Sequence, residues 1–133
     1  MTQLRISEAA GFMGVSDDTV RRLIDAGRLS SSLDAAGRAV VDGAELAAHI
    51  RASSTAPQDR TRVASSARNR LAGLVTSVVS DTVMSQVELQ CGPFRIVSLM
   101  STEAVRDLGL VPGSVATAVV KSTNVIIETE ARP

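Results

Sequence analysis

The sequence predicts an α+β protein made of two small domains joined by a linker. Apolar residues recur at helical spacing over residues 1–51, whereas β-branched residues dominate from Leu71 onward. Between these stretches, residues 53–65 are small and polar and include a proline, a composition typical of linkers. We therefore expect one domain over residues 1–52 and a second over 66–130.

The first domain carries the signals of two short helices joined by a turn. Ser7 is a candidate cap for a helix that runs through Met13. Ser16 is the candidate N-cap of the second helix, whose first turn carries two acids that favour the helix dipole. Gly27 is expected to end that helix. Its inward stripe consists of Val20, Leu23 and Ile24.

A hairpin and a third helix are expected next. Residues 28–33 and 38–41 have the pattern of two short strands around a turn at 34–37. Asp42 and Glu45 have the spacing of a capping box, which predicts a helix after them. The order helix, turn, helix, hairpin, helix predicts a winged helix-turn-helix in this N-terminal domain.

The run Ser-x-x-Thr-Val-Arg-Arg-Leu at residues 16–23 resembles the second helix of the MerR and excisionase group of DNA-binding domains. The resemblance implies double-stranded DNA as a partner, with this helix in the major groove and the hairpin as a wing. Serine, threonine and arginine are suitable donors to phosphates, and arginine also to guanine. The candidate DNA contacts are Ser16, Thr19, Arg21, Arg22 and Arg38. Alternatively, Arg21 and Arg22 are ordinary solvated residues on the surface of the helix.

The second domain is predicted to be a small β-barrel with one short helix. The strand-like runs are residues 74–79, 83–89, 95–100 and 115–120. The short helix is expected from about residue 102 to 108. Because this half has a single aromatic residue, Phe94, it has little large apolar surface to bury internally, and subunit association is expected to stabilise it.

Two tetrapeptides bracket this barrel, Ser-Ala-Arg-Asn at 66–69 and Lys-Ser-Thr-Asn at 121–124. The second begins with the only lysine of the chain. With the strands between them, they resemble the Mop, or molbindin, family of TOBE-like molybdate and tungstate binders. The resemblance covers roughly residues 65–130. It implies a five-stranded, OB-like barrel and a homo-oligomer, a dimer at least and a hexamer in some relatives.

A tetrahedral dianion has no proton to donate at neutral pH, so its site must consist of hydrogen-bond donors. Both tetrapeptides are rich in donors and free of carboxylates. The resemblance assigns oxyanion ligands to Ser66, Ala67, Arg68, Lys121 and Ser122. Ser101 is a further candidate, although its hydroxyl is equally suited to cap the short helix.

Together the two halves predict a ModE-type transcriptional regulator that responds to molybdate or tungstate, bound at subunit interfaces. The alternatives are a storage or buffering protein and a DNA-binding protein whose barrel only oligomerises. No enzyme is expected, because the sequence has no Gly-rich phosphate loop and no Ser, His and Asp order. With a lone Cys91 and no apolar run of membrane-spanning length, we expect a cytoplasmic protein without a membrane partner.

Overall fold

A computed structural model of the chain contains two units, one up to Thr55 and one after it. The structure describes residues 2–55 and 57–131. The first unit contains β1 (Gln3–Arg5), α1 (Ile6–Met13), α2 (Asp17–Asp25), β2 (Ser32–Leu33), β3 (Ala39–Asp42) and α3 (Gly43–Ser53). The second contains β4 (Asn69–Ser80), β5 (Met84–Cys91), β6 (Phe94–Ser101), α4 (Thr102–Leu108), β7 (Val115–Val120) and a 3-10 turn (Ser122–Asn124).

The first unit packs its helices on a three-stranded antiparallel sheet of order β1-β3-β2. Its buried core consists of Ala9, Ala10, Val20, Leu29, Val41 and Leu46. The predicted cap of α2 is confirmed, because the Thr19 N–H donates to Ser16 Oγ at 3.2 Å. The hairpin between β2 and β3 also lies where the sequence predicts it, and its turn includes Gly37 at a positive φ of 77°.

The start of α1 differs from the prediction. The helix begins at Ile6 with Arg5 as its N-cap, so Ser7 lies inside the first turn and caps nothing. The reason is tertiary, because β1 pairs with β3, with Leu4 opposite Val41, and the chain leaves the strand directly into the helix. The sequence did not predict β1.

The capping box before α3 is only half formed. Asp42 Oδ2 accepts a hydrogen bond from the Glu45 N–H at 3.0 Å, as predicted. The Glu45 carboxylate does not reach back to Asp42. Instead Oε1 of Glu45 accepts from the Ser30 N–H at 2.8 Å, so this side chain joins α3 to the segment that follows α2.

The second unit is an antiparallel sheet of order β6-β5-β4-β7. β4 is long enough to pair with β7 through residues 69–74 and with β5 through residues 74–80, with an irregular register between Val75 and Ser77. The helix α4 is confirmed at the predicted residues. The buried core consists of Val75, Val87, Leu89, Cys91 and Val105.

We predicted five strands in this unit, and the described residues form four. The described residues after the 3-10 turn, 125–131, form no strand, and among them Ile126 and Ile127 are 83% and 85% exposed. An apolar groove of about 360 Å³ is lined by residues of both edge strands, β6 and β7, including Ile96 and Ala118. The β-branched C-terminal segment therefore has no partner strand within a single chain.

Candidate functional site

The two tetrapeptides predicted to bind an oxyanion lie side by side at one end of the sheet. β4 begins at Asn69, which is opposite Val120, the last residue of β7. The Asn69 Nδ2 also donates to the Val120 carbonyl oxygen at 3.1 Å. The next residues outward from this pair are Arg68 on one strand and Lys121 on the other. The structure thus brings together the two cationic residues that are far apart in sequence.

This end of the sheet offers positive charge and donors to an anion. Arg68 and Lys121 are both exposed, and neither forms an ion pair with another described residue. Ser66 and Ser122 are exposed beside them, whereas Ala67 is buried, at 8% exposure. Ala67 is therefore suited to fix the path of its segment, and the charged and hydroxyl groups on either side remain available to a ligand.

Ser101 lies elsewhere in the second unit. Its Oγ accepts a hydrogen bond from the Ala104 N–H at 3.1 Å and thereby caps α4. It ends β6, which pairs with β5, and β5 in turn pairs with the second half of β4. Arg68 and Lys121 flank the first half of β4. Within one chain the structure therefore does not bring Ser101 to the two cationic residues.

Asp59 anchors part of the predicted linker to the sheet, which we did not predict. Its Oδ2 accepts from Arg70 Nε at 2.7 Å, and its Oδ1 accepts from Thr117 Oγ1 at 3.0 Å. Thr61 donates to the same Oδ1 through its hydroxyl at 2.7 Å and its N–H at 3.0 Å. Hydrogen bonds from Thr61, then Arg70, hold the pKa of the Asp59 carboxyl well below its ordinary value. The Asp-x-Thr spacing is typical of a local turn, and from it the contact between Asp59 and Thr61 could have been predicted.

The anchor affects the charge near the oxyanion candidates. Because Arg70 neutralises Asp59, this carboxylate presents little net repulsion to an anion. Arg70 lies on β4 only two positions after Arg68. The two arginines thus differ, since Arg70 holds the linker and Arg68 forms no ion pair with a described residue.

The residues predicted to contact DNA lie on the first unit. Arg21 and Arg22 are exposed neighbours on α2, and Arg21 Nη1 donates to Asp18 Oδ1 at 3.3 Å. Arg38 lies between the hairpin turn and β3, where its Nε donates to Asp34 Oδ2 at 2.9 Å. The Arg21–Asp18 pair is solvent-exposed, and exposed pairs contribute only about 0–1 kcal/mol, whereas in the Arg38–Asp34 pair the Asp34 side chain is only 18% exposed.

The other two candidate DNA contacts cap the helix. Ser16 Oγ and Thr19 Oγ1 are hydrogen-bonded to each other at 3.0 Å, in addition to the bond from the Thr19 N–H. Their hydroxyls are engaged within the first turn of α2. Either hydroxyl retains acceptor or donor capacity, but its position is set by the cap.

Among the described residues no three His, Cys, Asp or Glu side chains form a cluster that could hold a metal ion. In residues 2–55 and 57–131 no helix has both the length and the hydropathy required to span a bilayer.

Comparison with known proteins identifies relatives of the second unit. Residues 65–127 match the TOBE domain. Over 63 residues the chain is 41% identical to molybdenum-pterin-binding protein 3 of Clostridium pasteurianum, an alignment that covers 47% of this chain and 93% of that protein.

Two solved structures are also similar. A molybdate-binding protein from Sporomusa ovata is 33% identical, with a TM-score of 0.49, over 50% of this chain and 100% of its own. The molybdate-bound form of ModG, a cytoplasmic molybdate-binding protein, is 38% identical, with a TM-score of 0.48, over 54% of this chain and 52% of its own. Because this chain is 41% identical to the clostridial protein over 93% of that protein's length, it belongs to the TOBE domain family through residues 65–127.

Proposed function

We propose that this protein binds molybdate or tungstate through its second unit and that the bound oxyanion controls DNA binding by the first. The observation that carries the proposal is the pairing of Asn69 with Val120, which brings Arg68 and Lys121 together without a compensating carboxylate partner among the described residues. The relative from Clostridium pasteurianum is named for molybdenum-pterin binding, and its aligned region includes nearly its whole length.

The chemistry of the oxyanion agrees with these donors. Molybdate and tungstate are tetrahedral dianions at neutral pH, so they accept hydrogen bonds and donate none. Arg68 and Lys121 supply charge-assisted donors, and Ser66 and Ser122 supply hydroxyls. Each charge-assisted hydrogen bond contributes about 1.5–3 kcal/mol. With two such donors, this end of the sheet should bind an oxyanion more tightly than the rest of the surface.

A homo-oligomer is part of the proposal. The exposed Ile126 and Ile127 lie two and three residues after the 3-10 turn that contains Ser122, and the groove along β6 and β7 is apolar. Burial of an isoleucine side chain contributes about 1.5–3 kcal/mol. A second copy would cover these residues, and it is also the means by which Ser101 of one chain would approach Arg68 and Lys121 of another.

Coupling to DNA requires that the oxyanion bind with different affinities to the DNA-bound and DNA-free protein. Asp59 already restrains the chain seven residues before Ser66. A ligand at Arg68 would restrain the segment from the other side. The residues between the anchor and the ligand would then lose freedom together, and they form the end of the linker that is nearer the second unit.

The first test is isothermal titration of the full chain with molybdate and then tungstate, each with excess sulfate present. We expect sulfate-resistant binding of both. The second test measures the affinity for duplexes selected from a random-sequence pool, with and without molybdate, by fluorescence anisotropy. A regulator should change its DNA affinity by at least about fivefold, the lower end of allosteric coupling.

Other outcomes identify the alternatives. Tight oxyanion binding with unchanged DNA affinity would indicate a storage or buffering protein, which uses the same residues of the second unit. DNA binding without any heat from molybdate or tungstate would indicate a DNA-binding protein whose second unit serves assembly alone.

A further inference from the structure

A small pocket in the first unit collects three arginines from three separate elements. Its volume is about 220 Å³, large enough for a single tetrahedral anion. β1 contributes its last residue, α2 contributes its second turn, and the hairpin contributes the residue before β3. The polar lining consists of Arg5, Ser7, Asp17, Arg21 and Arg38. The predicted DNA contacts included two of these arginines and not Arg5.

The Arg38 guanidinium is held in place from behind. Asp34 Oδ2 accepts from Arg38 Nε at 2.9 Å, while Oδ1 accepts from the N–H groups of Ala36 and Arg38, also at 2.9 Å. These bonds, first that from the Arg38 N–H, lower the pKa of the Asp34 carboxyl, which stays ionised. Only one of the three guanidinium nitrogens is engaged, so both terminal NH₂ groups of Arg38 remain for a ligand.

The other two arginines are also available. Arg21 gives one terminal nitrogen to Asp18, with 58% and 74% of the two side chains exposed, an arrangement that water screens strongly. Arg5 forms no ion pair with another described residue. Asp17 is the single carboxylate of the lining. Asp18 and Asp34, outside the lining, each pair with one of these arginines through a single nitrogen, so the charge of the pocket is partly balanced. The three guanidinium groups still have several unused N–H donors, and the pocket therefore favours an anion that accepts several hydrogen bonds.

We propose that this pocket binds one phosphate of the DNA backbone, with Arg5, Arg21 and Arg38 donating to its oxygens. The inference rests on the proposed DNA-binding function and adds Arg5 to it. It also separates two neighbours on α2, because Arg21 lines the pocket and Arg22 does not. Arg21 then positions the duplex through its backbone, and Arg22 remains for the base edges.

The test compares the full chain with Arg5→Gln on two duplexes, one selected from a random pool and one unrelated, over a series of salt concentrations. Loss of one phosphate contact should weaken both complexes by the same factor, about fivefold to tenfold, and reduce the salt slope by about one. Arg5→Lys retains the charge and should preserve the slope. The control Arg51→Gln removes the same charge at an exposed position of α3 outside the pocket. It should change the DNA affinity by less than about twofold.

Three results would overturn the inference. Equal effects of Arg5→Gln and Arg51→Gln would mean that only net charge matters, while the proposed DNA-binding function would stand. A loss confined to the selected duplex would make Arg5 a base-reading residue. Failure of the unmodified chain to bind either duplex would refute the DNA-binding function itself, and the phosphate pocket with it.

Discussion

The first unit buries Val20, Leu29 and Val41 to 2% exposure or less, whereas Leu99, Ile126 and Ile127 of the second are 71% exposed or more. Among the described residues, three large apolar side chains are exposed in the first unit and fifteen in the second. One chain therefore completes the core of the first unit and leaves apolar side chains of the second exposed. We expect association to stabilise the second unit, which carries the oxyanion candidates, more than the first.

The cationic residues of the two units differ in a related way. In the first unit, Arg21 and Arg38 are each held by an aspartate on the same element or turn. In the second, Arg70 is held by Asp59, but Arg68 and Lys121 are left without an ion pair to a described residue. Under the proposals above, the fixed Arg21 and Arg38 and the unpaired Arg5 would contact a rigid polyanion, whereas both cationic ligands of the small dianion are without an ion pair to a described residue.

The largest expected effect is on oxyanion binding. Arg68→Ala combined with Lys121→Ala should weaken molybdate binding by more than about a hundredfold, because each charge-assisted hydrogen bond contributes about 1.5–3 kcal/mol. Isothermal titration measures the loss, and circular dichroism checks that the fold is retained. The control is Arg106→Ala, at an exposed position of α4, which should bind normally. Binding retained by the folded double variant would show that the ligand lies elsewhere.

Assembly should depend on the C-terminal segment. Ile126→Asp with Ile127→Asp should shift the protein towards monomers, because each buried isoleucine contributes about 1.5–3 kcal/mol and an aspartate would have to be desolvated. Light scattering coupled to size-exclusion chromatography reports the mass. Leu33→Asp, at a residue 71% exposed on β2 of the first unit, should leave the mass unchanged. Loss of assembly in this control instead would reverse the comparison between the units.

Two glycine substitutions should move the stabilities of the units in opposite directions. A Cβ on Gly73 would lie 2.4 Å from the Gln90 carbonyl oxygen, so Gly73→Ala should destabilise the second unit by about 1–3 kcal/mol. A Cβ on Gly11, in α1, meets nothing within 4 Å, so Gly11→Ala should stabilise the first unit by about 0.5–1 kcal/mol. Denaturation followed through NMR signals of each unit separates the effects, and a stabilising Gly73→Ala would disprove the close approach.

The smallest expected effect concerns the anchor of residues 59–61. Asp59→Asn should speed tryptic cleavage after Arg60 and Arg62 by about fivefold, since local opening controls proteolysis. The low pKa keeps the carboxylate ionised, so the anchor is constant from pH 5 to 8. It is lost only as the pH falls below the ordinary value of 3.8 towards the lowered one. Glu103→Gln, on α4, should not alter cleavage; an equal acceleration there would exclude a specific anchor.

Local patterns predicted elements well and their boundaries less well. Ser16 caps α2 and α4 ends where expected, because caps and apolar spacing act over a few residues. Ser7 does not cap α1 because the pairing of β1 with the distant β3 sets the start of that helix, and the Glu45 carboxylate binds the distant Ser30 instead of completing the capping box. The fifth strand that the resemblance implied is absent from the described residues.

The tetrapeptides at 66–69 and 121–124 and the sole lysine, through the family resemblance, were sufficient to predict oxyanion ligands in the second domain. Other features required the folded chain. The register of β4 with β7 makes Arg68 and Lys121 neighbours, and long-range hydrogen bonds bring Asp59 to the sheet. Folding of the first unit gathers the three arginines of its pocket. Strand pairing joins residues that no local spacing relates, because its hydrogen bonds are made by backbone groups that every residue carries.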